Sequence, residues 1–256
     1  DYQINFNQWV DGNSEFDVYS KGGNVNAHGT FLNNWRTGGG IGINASGLSV
    51  SELRGGPAIY KPANTNVWLN INSDFRKTVS IGLFGNIFRN DDDVESYSFG
   101  PEISYRAFDN LQLSVETEYS KFSDTWAWRG VGADSNFNDH YIFSDLDRKT
   151  LSMEMRADYT VTTNLSIQFY GQALFTAGEY KNFRETDQVR AASFNERFSE
   201  LENAVTDIDV NGNDVLDIYN DQSEYYTFED GIWTDFNYKE FRTNLVIRWE
   251  FQTGSS

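Results

Sequence analysis

The stretch LSMEMRADYTVTTNLSIQFYGQALF, residues 151–175, decides the fold. Its apolar side chains fall on every second position: Leu151, Met153, Met155, Ala157, Tyr159 and Val161, with Ser152, Glu154, Arg156, Asp158 and Thr160 between them. After Thr162-Thr163-Asn164 the alternation restarts with Leu165, Ile167, Phe169, Gly171, Ala173 and Phe175 against Ser166, Gln168, Tyr170 and Gln172. A period of two sends successive side chains to opposite faces of a sheet. Asn164 suits the left-handed backbone of a tight hairpin. The stretch reads as two long antiparallel strands joined by a short turn.

The same pattern spreads in both directions. Phe241, Thr243, Leu245, Ile247, Trp249 and Phe251 alternate with Arg242, Asn244, Arg248 and Glu250, and shorter runs occur at 2–6, 67–71, 79–83, 103–105 and 111–115. Apolar residues at three-four spacing occur only weakly, near Phe194–Leu201. The chain is therefore all-β. Ten strands are predicted: 2–10, 15–32, 35–45, 64–75, 77–88, 94–107, 110–130, 139–161, 164–180 and 237–252. Short turns fall at Asn33-Asn34, 75–77, 108–110 and 162–164, and longer polar connections at about 46–63, 89–95, 123–148 and 180–237. Short and long connections alternate, so each kind gathers at one end of an antiparallel up-and-down sheet.

Composition narrows the function. The chain has 256 residues, 38 acidic and 20 basic, for a net charge of −18, with 16 % aromatic residues and no cysteine. A disulfide scaffold and thiolate chemistry are excluded. Nucleic-acid binding relies on clustered Lys and Arg that this chain lacks. The aromatic content argues against disorder. No apolar run approaches a transmembrane helix, and DYQINFNQWV at the start is no signal peptide. Most of the alternating segments are longer than the five or six residues usual in globular strands. Long alternating strands, short turns at one rim and long loops at the other mark an antiparallel up-and-down transmembrane β-barrel of the outer membrane. Trp9, Trp35, Trp68, Tyr105 and Trp249 are candidates for its aromatic girdles. The competing reading is a soluble or surface β-sheet protein that binds carbohydrate. Thr253-Gly254-Ser255-Ser256 reads as another short turn, so residues 1–256 are expected to be one segment of a larger barrel.

Three segments carry a family resemblance: LRGGPAIYKPANTNVWLNINSDFRK (53–77), DRKTLSMEMRADYTVTTNLSIQFYGQALFTAGEYKNF (147–183) and FRTNLVIRWEFQTGSS (241–256). They resemble the C-terminal barrel region of an uncharacterised family of Gram-negative outer-membrane proteins. In that family a carbohydrate-binding-like β-sandwich, similar to family-nine xylan-binding modules, precedes the barrel. The resemblance implies an outer-membrane location, contact with membrane lipid, further strands before Asp1 and after Ser256, and a structural, transport or complex-forming role alongside other outer-membrane or surface proteins. It implies no catalytic residues.

Candidate sites follow from local chemistry. Asp207, Asp209, Asn211, Asn213 and Asp217 place oxygen ligands near a Gly212 bend, in the manner of a calcium loop. The hydrophobic residue after the bend comes one place late, and Ile218 stands where an EF-hand needs Glu, so a solvated acidic loop competes with Ca2+. Residues 185–236 contain 14 acidic and two basic side chains, hence −12 of the −18. Such a block is ordinarily a solvated face; at a pore mouth it would also favour cations. Trp126 and Trp128 share a face near a loop and, with Tyr141, would make a stacking platform for a sugar ring; the alternative is a packed loop base. Arg54-Gly55-Gly56-Pro57 is either a turn folded inward or an ordinary surface turn. Glu116, Glu118, Glu154, Arg156 and Asp158 are expected on a polar lumen wall. An outer-membrane hydrolase would have to be built on acidic pairs with His140, because no nucleophile elbow, zinc helix or phosphate loop is present. Gly38-Gly39-Gly40 precedes a strand and lacks the helix N-terminus that holds phosphate.

Overall fold

The computed structural model describes residues 1–133, 139–201, 204–208, 214–219, 225–228 and 235–251. In chain order its elements are β1 (Tyr2–Gly12), β2 (Val18–Thr30), β3 (Arg36–Asn44), β4 (Gly47–Ser49), β5 (Ile59–Lys61), β6 (Asn64–Asn72), β7 (Val79–Asn90), β8 (Glu95–Phe108), β9 (Leu111–Ala133), β10 (Asp139–Thr162), β11 (Leu165–Thr186), α1 (Phe194–Arg197), β12 (Phe198–Glu200), β13 (Ala204–Ile208), β14 (Asp214–Tyr219), β15 (Tyr225–Phe228) and β16 (Phe236–Trp249). The ten long strands coincide with the ten expected and pair in the order β1-β2-β3-β6-β7-β8-β9-β10-β11-β16, all antiparallel. Among the described residues β1 and β16 each pair on one side only.

The short turns have local causes. Asn34 takes φ +63° between β2 and β3, and the Asn33 side chain accepts the Trp35 amide at 3.2 Å. Between β6 and β7, Asp74 accepts from the Arg76 amide and guanidinium. Two residues suffice between β8 and β9 and between β10 and β11. The long connections differ from expectation in three places. Segment 46–63 contains the β4–β5 hairpin. The weak helical spacing near 194 yields one turn, α1, which passes directly into β12. The loop expected over 123–148 is mostly strand, because β9 and β10 stay paired through Ala133 and Asp139. Register shifts at Ile142/Phe143 and Ser144/Leu146 turn that upper ladder without ending it.

Register divides the sheet into two unlike faces. One carries Phe6, Val25, Ile41, Val67, Ile87, Phe99, Val115, Met155, Phe169 and Leu245; the other carries Asn5, Asn26, Gly40, Trp68, Asn86, Glu116, Glu154, Arg156, Gln168 and Asn244. The five expected lumen charges do lie on the polar face. Trp9 and Trp68, expected in a girdle, also lie there, since their parity is that of Asn7 and Asn66. Tyr105, Tyr159 and Trp249 stand on the apolar face at the short-turn end.

The apolar face is bare: Phe6 is 75 % exposed, Ile103 55 % and Leu245 60 %. Among the described residues the buried hydrophobic ones are Leu53, Ile59, Val94, Ala127, Ile142, Phe143, Leu146 and Phe198, all at the long-loop end, and none lies below them.

Candidate functional site

Two features command attention: the polar face and the loops gathered at its upper end. The polar face is concave. Trp9 Nε1 donates to Asn44 Oδ1 at 3.2 Å, reaching from β1 to β3 over Gly22 of β2. Trp68 on β6 meets His28 on β2 with ring centroids 5.5 Å apart, across β3. A Cβ on Gly38 or Gly40 would lie 2.7 Å from His28 Nδ1 or 2.8 Å from Trp68 Nε1, so these glycines make room for the rings. Strands two apart are about 9.6 Å distant in a flat sheet, and a curl towards this face shortens the reach of such pairs.

The upper loops span that hollow. Arg190, four residues beyond β11, pairs with Asp17 beside β2 at 3.5 Å. Along a flat sheet seven strand spacings would separate them by about 34 Å. Four extended residues reach about 14 Å. The Tyr60 amide donates to the Val189 carbonyl at 2.7 Å, joining the β3–β6 connection to the same segment. These contacts form a roof over the concave side.

Among the described residues the roof holds a buried hydrophobic cluster. Leu53, Ile59, Phe143 and Phe198 form its centre, with Trp126, Trp128, Tyr141, Val189 and Phe194 packed around them. Arg197 is fully buried. Its guanidinium forms an ion pair with Asp92, donates to the carbonyls of Ala191 (2.7 Å) and Ala192 (3.1 Å), and lies 5.1 Å from the ring centres of Trp126 and Tyr60. Asp92 also accepts Trp126 Nε1 at 2.9 Å, and its carbonyl accepts Thr125 Oγ1 at 2.6 Å. Arg184 ties the Thr125 carbonyl to the Asp145 carboxylate. A buried cation with an anionic partner, carbonyl acceptors and aromatic walls is one of the few ways to keep charge out of water. Burial pushes the Asp124 carboxyl above its ordinary value, the Trp126 amide opposes this, and the Glu52 and Asp145 carboxylates push it further up.

The sequence candidates divide accordingly. Trp126, Trp128 and Tyr141 are brought together, but as the base of the roof. Trp126 packs edgewise on Phe198 (5.2 Å) and Trp128 on Phe143 (5.3 Å), while Arg54 lies 5.0 Å from the Trp128 ring centre. Arg54-Gly55-Gly56-Pro57 is the turn clamped on them: Arg54 and Gly55 take φ +46° and +116°, and a Gly56 Cβ would lie 2.6 Å from the Tyr141 ring. His140 Nδ1 and Glu185 Oε2 share a hydrogen bond of 2.6 Å beside the roof. In the calcium-like motif Asp209, Asn211 and Asn213 lie outside the described residues. Asp207 and Asp217 are described as backbone, in the β13–β14 hairpin, where they stand opposite Val215 and Val205. Among the described residues no group of three or more His, Asp or Glu stands ready for a metal ion. The turn expected at 253–256 also lies outside them.

What residue-by-residue reading missed is the Asp92–Arg197 pair and the amide-rich wall. Arg197 is 105 residues from its partner, so no local spacing announces it. The wall, by contrast, was legible from the parity of Asn5, Asn7, Asn24 and Asn26.

A family model described as a domain of unknown function, DUF5916, matches residues 1–256. No curated protein and no solved structure matches the chain.

Proposed function

We propose that this chain, which belongs to the DUF5916 family, is a segment of wall from an outer-membrane β-barrel with a transport or complex-forming role. One observation carries the reading: across ten strands paired in one antiparallel sheet, an exposed apolar face backs a concave polar one. A water-soluble protein rarely exposes contiguous apolar surface of this extent, whereas apolar-out and polar-in alternation is the pattern of outer-membrane barrels. The height agrees. On β8 the apolar positions run from Tyr97 to Tyr105, about 27 Å along the strand. At the usual tilt that becomes about 21 Å, close to the roughly 25 Å apolar band of such barrels.

The roof then closes the mouth that carries the long loops, and the acidic segment 185–236 begins there. The resemblance to outer-membrane proteins with a preceding carbohydrate-binding-like sandwich supports this reading. The test is the intact protein's behaviour on extraction. It should partition with membranes, require detergent, and run at different gel mobilities before and after boiling. A folded, monodisperse protein in plain buffer, with one mobility, would overturn the proposal in favour of a soluble sheet protein.

A further inference from the structure

The concave wall is not uniform. From β8 to β16 it carries Glu102, Glu116, Glu118, Arg148, Glu154 and Arg156 among other charges, whereas from β1 to β7 it carries none between Asp11 at the upper end and Arg36 at the lower. In place of charge stand amides, such as Asn5, Asn7, Asn24, Asn26, Asn66 and Asn86, with the indoles of Trp9 and Trp68. Asparagine is disfavoured in strands, and a merely wet wall would be served by Ser or Thr. The amides bond in chains: Asn5 donates to Asn26 (2.9 Å), Asn26 and Asn7 to Asn24 (3.1 and 2.8 Å), and Asn86 to Asn66 (2.9 Å). Each amide has two N–H donors and two acceptor lone pairs, so the ladder fixes its orientation while leaving capacity towards the hollow. Glycines 22 and 40 let the two indoles settle against the wall.

The geometry points to a binding track on β1–β7 for a neutral, polyhydroxylated solute, of which an oligosaccharide is the ready example. Fixed amides offer hydroxyl groups both donors and acceptors without the desolvation cost of a buried ion. Half-buried indoles offer apolar ring faces to the C–H faces of a sugar. The track is separate from Trp126, Trp128 and Tyr141, whose surroundings are filled by the roof. This inference rests on the reading of the concave face as a wet lumen.

The intact, detergent-solubilised protein is titrated with maltotriose and with trigalacturonate, which has the same ring linkage but bears carboxylates, and tryptophan fluorescence is read. Maltotriose should perturb the fluorescence and trigalacturonate should bind at least tenfold more weakly. Trp68→Ala should weaken maltotriose about tenfold, as should Asn86→Asp, which places charge in the neutral wall. Trp249→Phe, on the apolar face, should leave binding unchanged. Heat-shifted mobility shows that each variant is folded, and if Trp68→Ala fails that check the Asn86→Asp result decides. No response to maltotriose, equal binding of the anion, or full binding by the decisive folded variant overturns the track. Failure of the membrane reading is separate: the protein would then be stable without detergent, and the same titration in plain buffer would still judge the track.

Discussion

Substituting Val115 by Arg separates a lipid-facing wall from a solvated one. Val115 lies midway along the apolar run of β9, opposite Ile103 and Met155, and is 42 % exposed. If that exposure is to water, a new arginine meets solvent, and surface changes of this kind stay within about 0.5 kcal/mol. If the exposure is to hydrocarbon, a cation at mid-height costs about 2–4 kcal/mol in a barrel wall. That corresponds to a roughly 30- to 1000-fold loss in the folding equilibrium. Ser104→Arg is the internal control. Ser104 follows Ile103, hence lies at nearly the same height but on the concave face, opposite Ser80 and Ser114 and near Glu102. The assay is reversible unfolding of the whole protein in lipid vesicles, titrated with guanidinium chloride and read by tryptophan emission. The expected difference between the two variants is at least 2 kcal/mol. Equal stabilities within about 0.5 kcal/mol would refute the assignment of the apolar face to lipid, because both arginines would then be seeing water.

Arg197→Met should cost about 3–5 kcal/mol, since it leaves Asp92 as an uncompensated buried charge; limited proteolysis should report a loosened roof while heat-shifted mobility is kept. Arg190→Ala, at the exposed Asp17 pair, should cost under about 1 kcal/mol in the same assay. Asp124→Asn should stabilise the roof at neutral pH and lose that advantage in acid. With the folded carboxyl pKa raised above its unfolded value, ionisation penalises the folded state above the folded pKa, and the penalty vanishes below the unfolded value near 3.8. Asp74 has the opposite sign: Arg76 holds it at about 2, so its support for the β6–β7 turn is present above about pH 4 and lost as pH falls towards 2. Asp74→Asn should therefore flatten the acid limb of unfolding.

The strands were legible because each reports its own parity. Leu151 to Phe175 names both faces of β10 and β11 without reference to any neighbour, and Asn164 marks the turn between them. The same information assigned Glu116 and Arg156 to the concave wall, and a stricter reading would have moved Trp9 and Trp68 there too. The roof could not be read this way. Its centre joins Leu53, Ile59, Phe143 and Phe198, and its buried cation meets Asp92 from another loop; such contacts depend on how far the sheet curls, which no local period encodes. Trp126, Trp128 and Tyr141 illustrate the boundary. Their proximity follows from the β9–β10 pairing, but what covers them is segment 53–57 on one side and Phe198 on the other, brought from distant parts of the chain.

The proposed contact with lipid predicts the outline of the apolar face. A second protein layer would have to come from this chain or another. Among the described residues, what lies outside the main sheet and the β4–β5 hairpin is β13 to β15, one turn of helix and the connecting segments, too little to cover ten strands. A partner protein would be matched by a patch of irregular outline, with hydrogen-bonding groups scattered within it. On four neighbouring strands the observed band is regular instead. On β7 it runs from Val79 to Ile87 and stops at Arg89; on β8 from Tyr105 to Tyr97, stopping at Glu95; on β9 from Leu111 to Tyr119, stopping at Lys121; on β10 from Tyr159 to Leu151, stopping at Lys149. Four neighbouring strands carry runs of the same length, ended at the same rim by charges of either sign. Arg89 and Glu95 pair there at 3.2 Å. This is the boundary expected if, as proposed, each strand crosses a slab of the same hydrocarbon depth regardless of its neighbours.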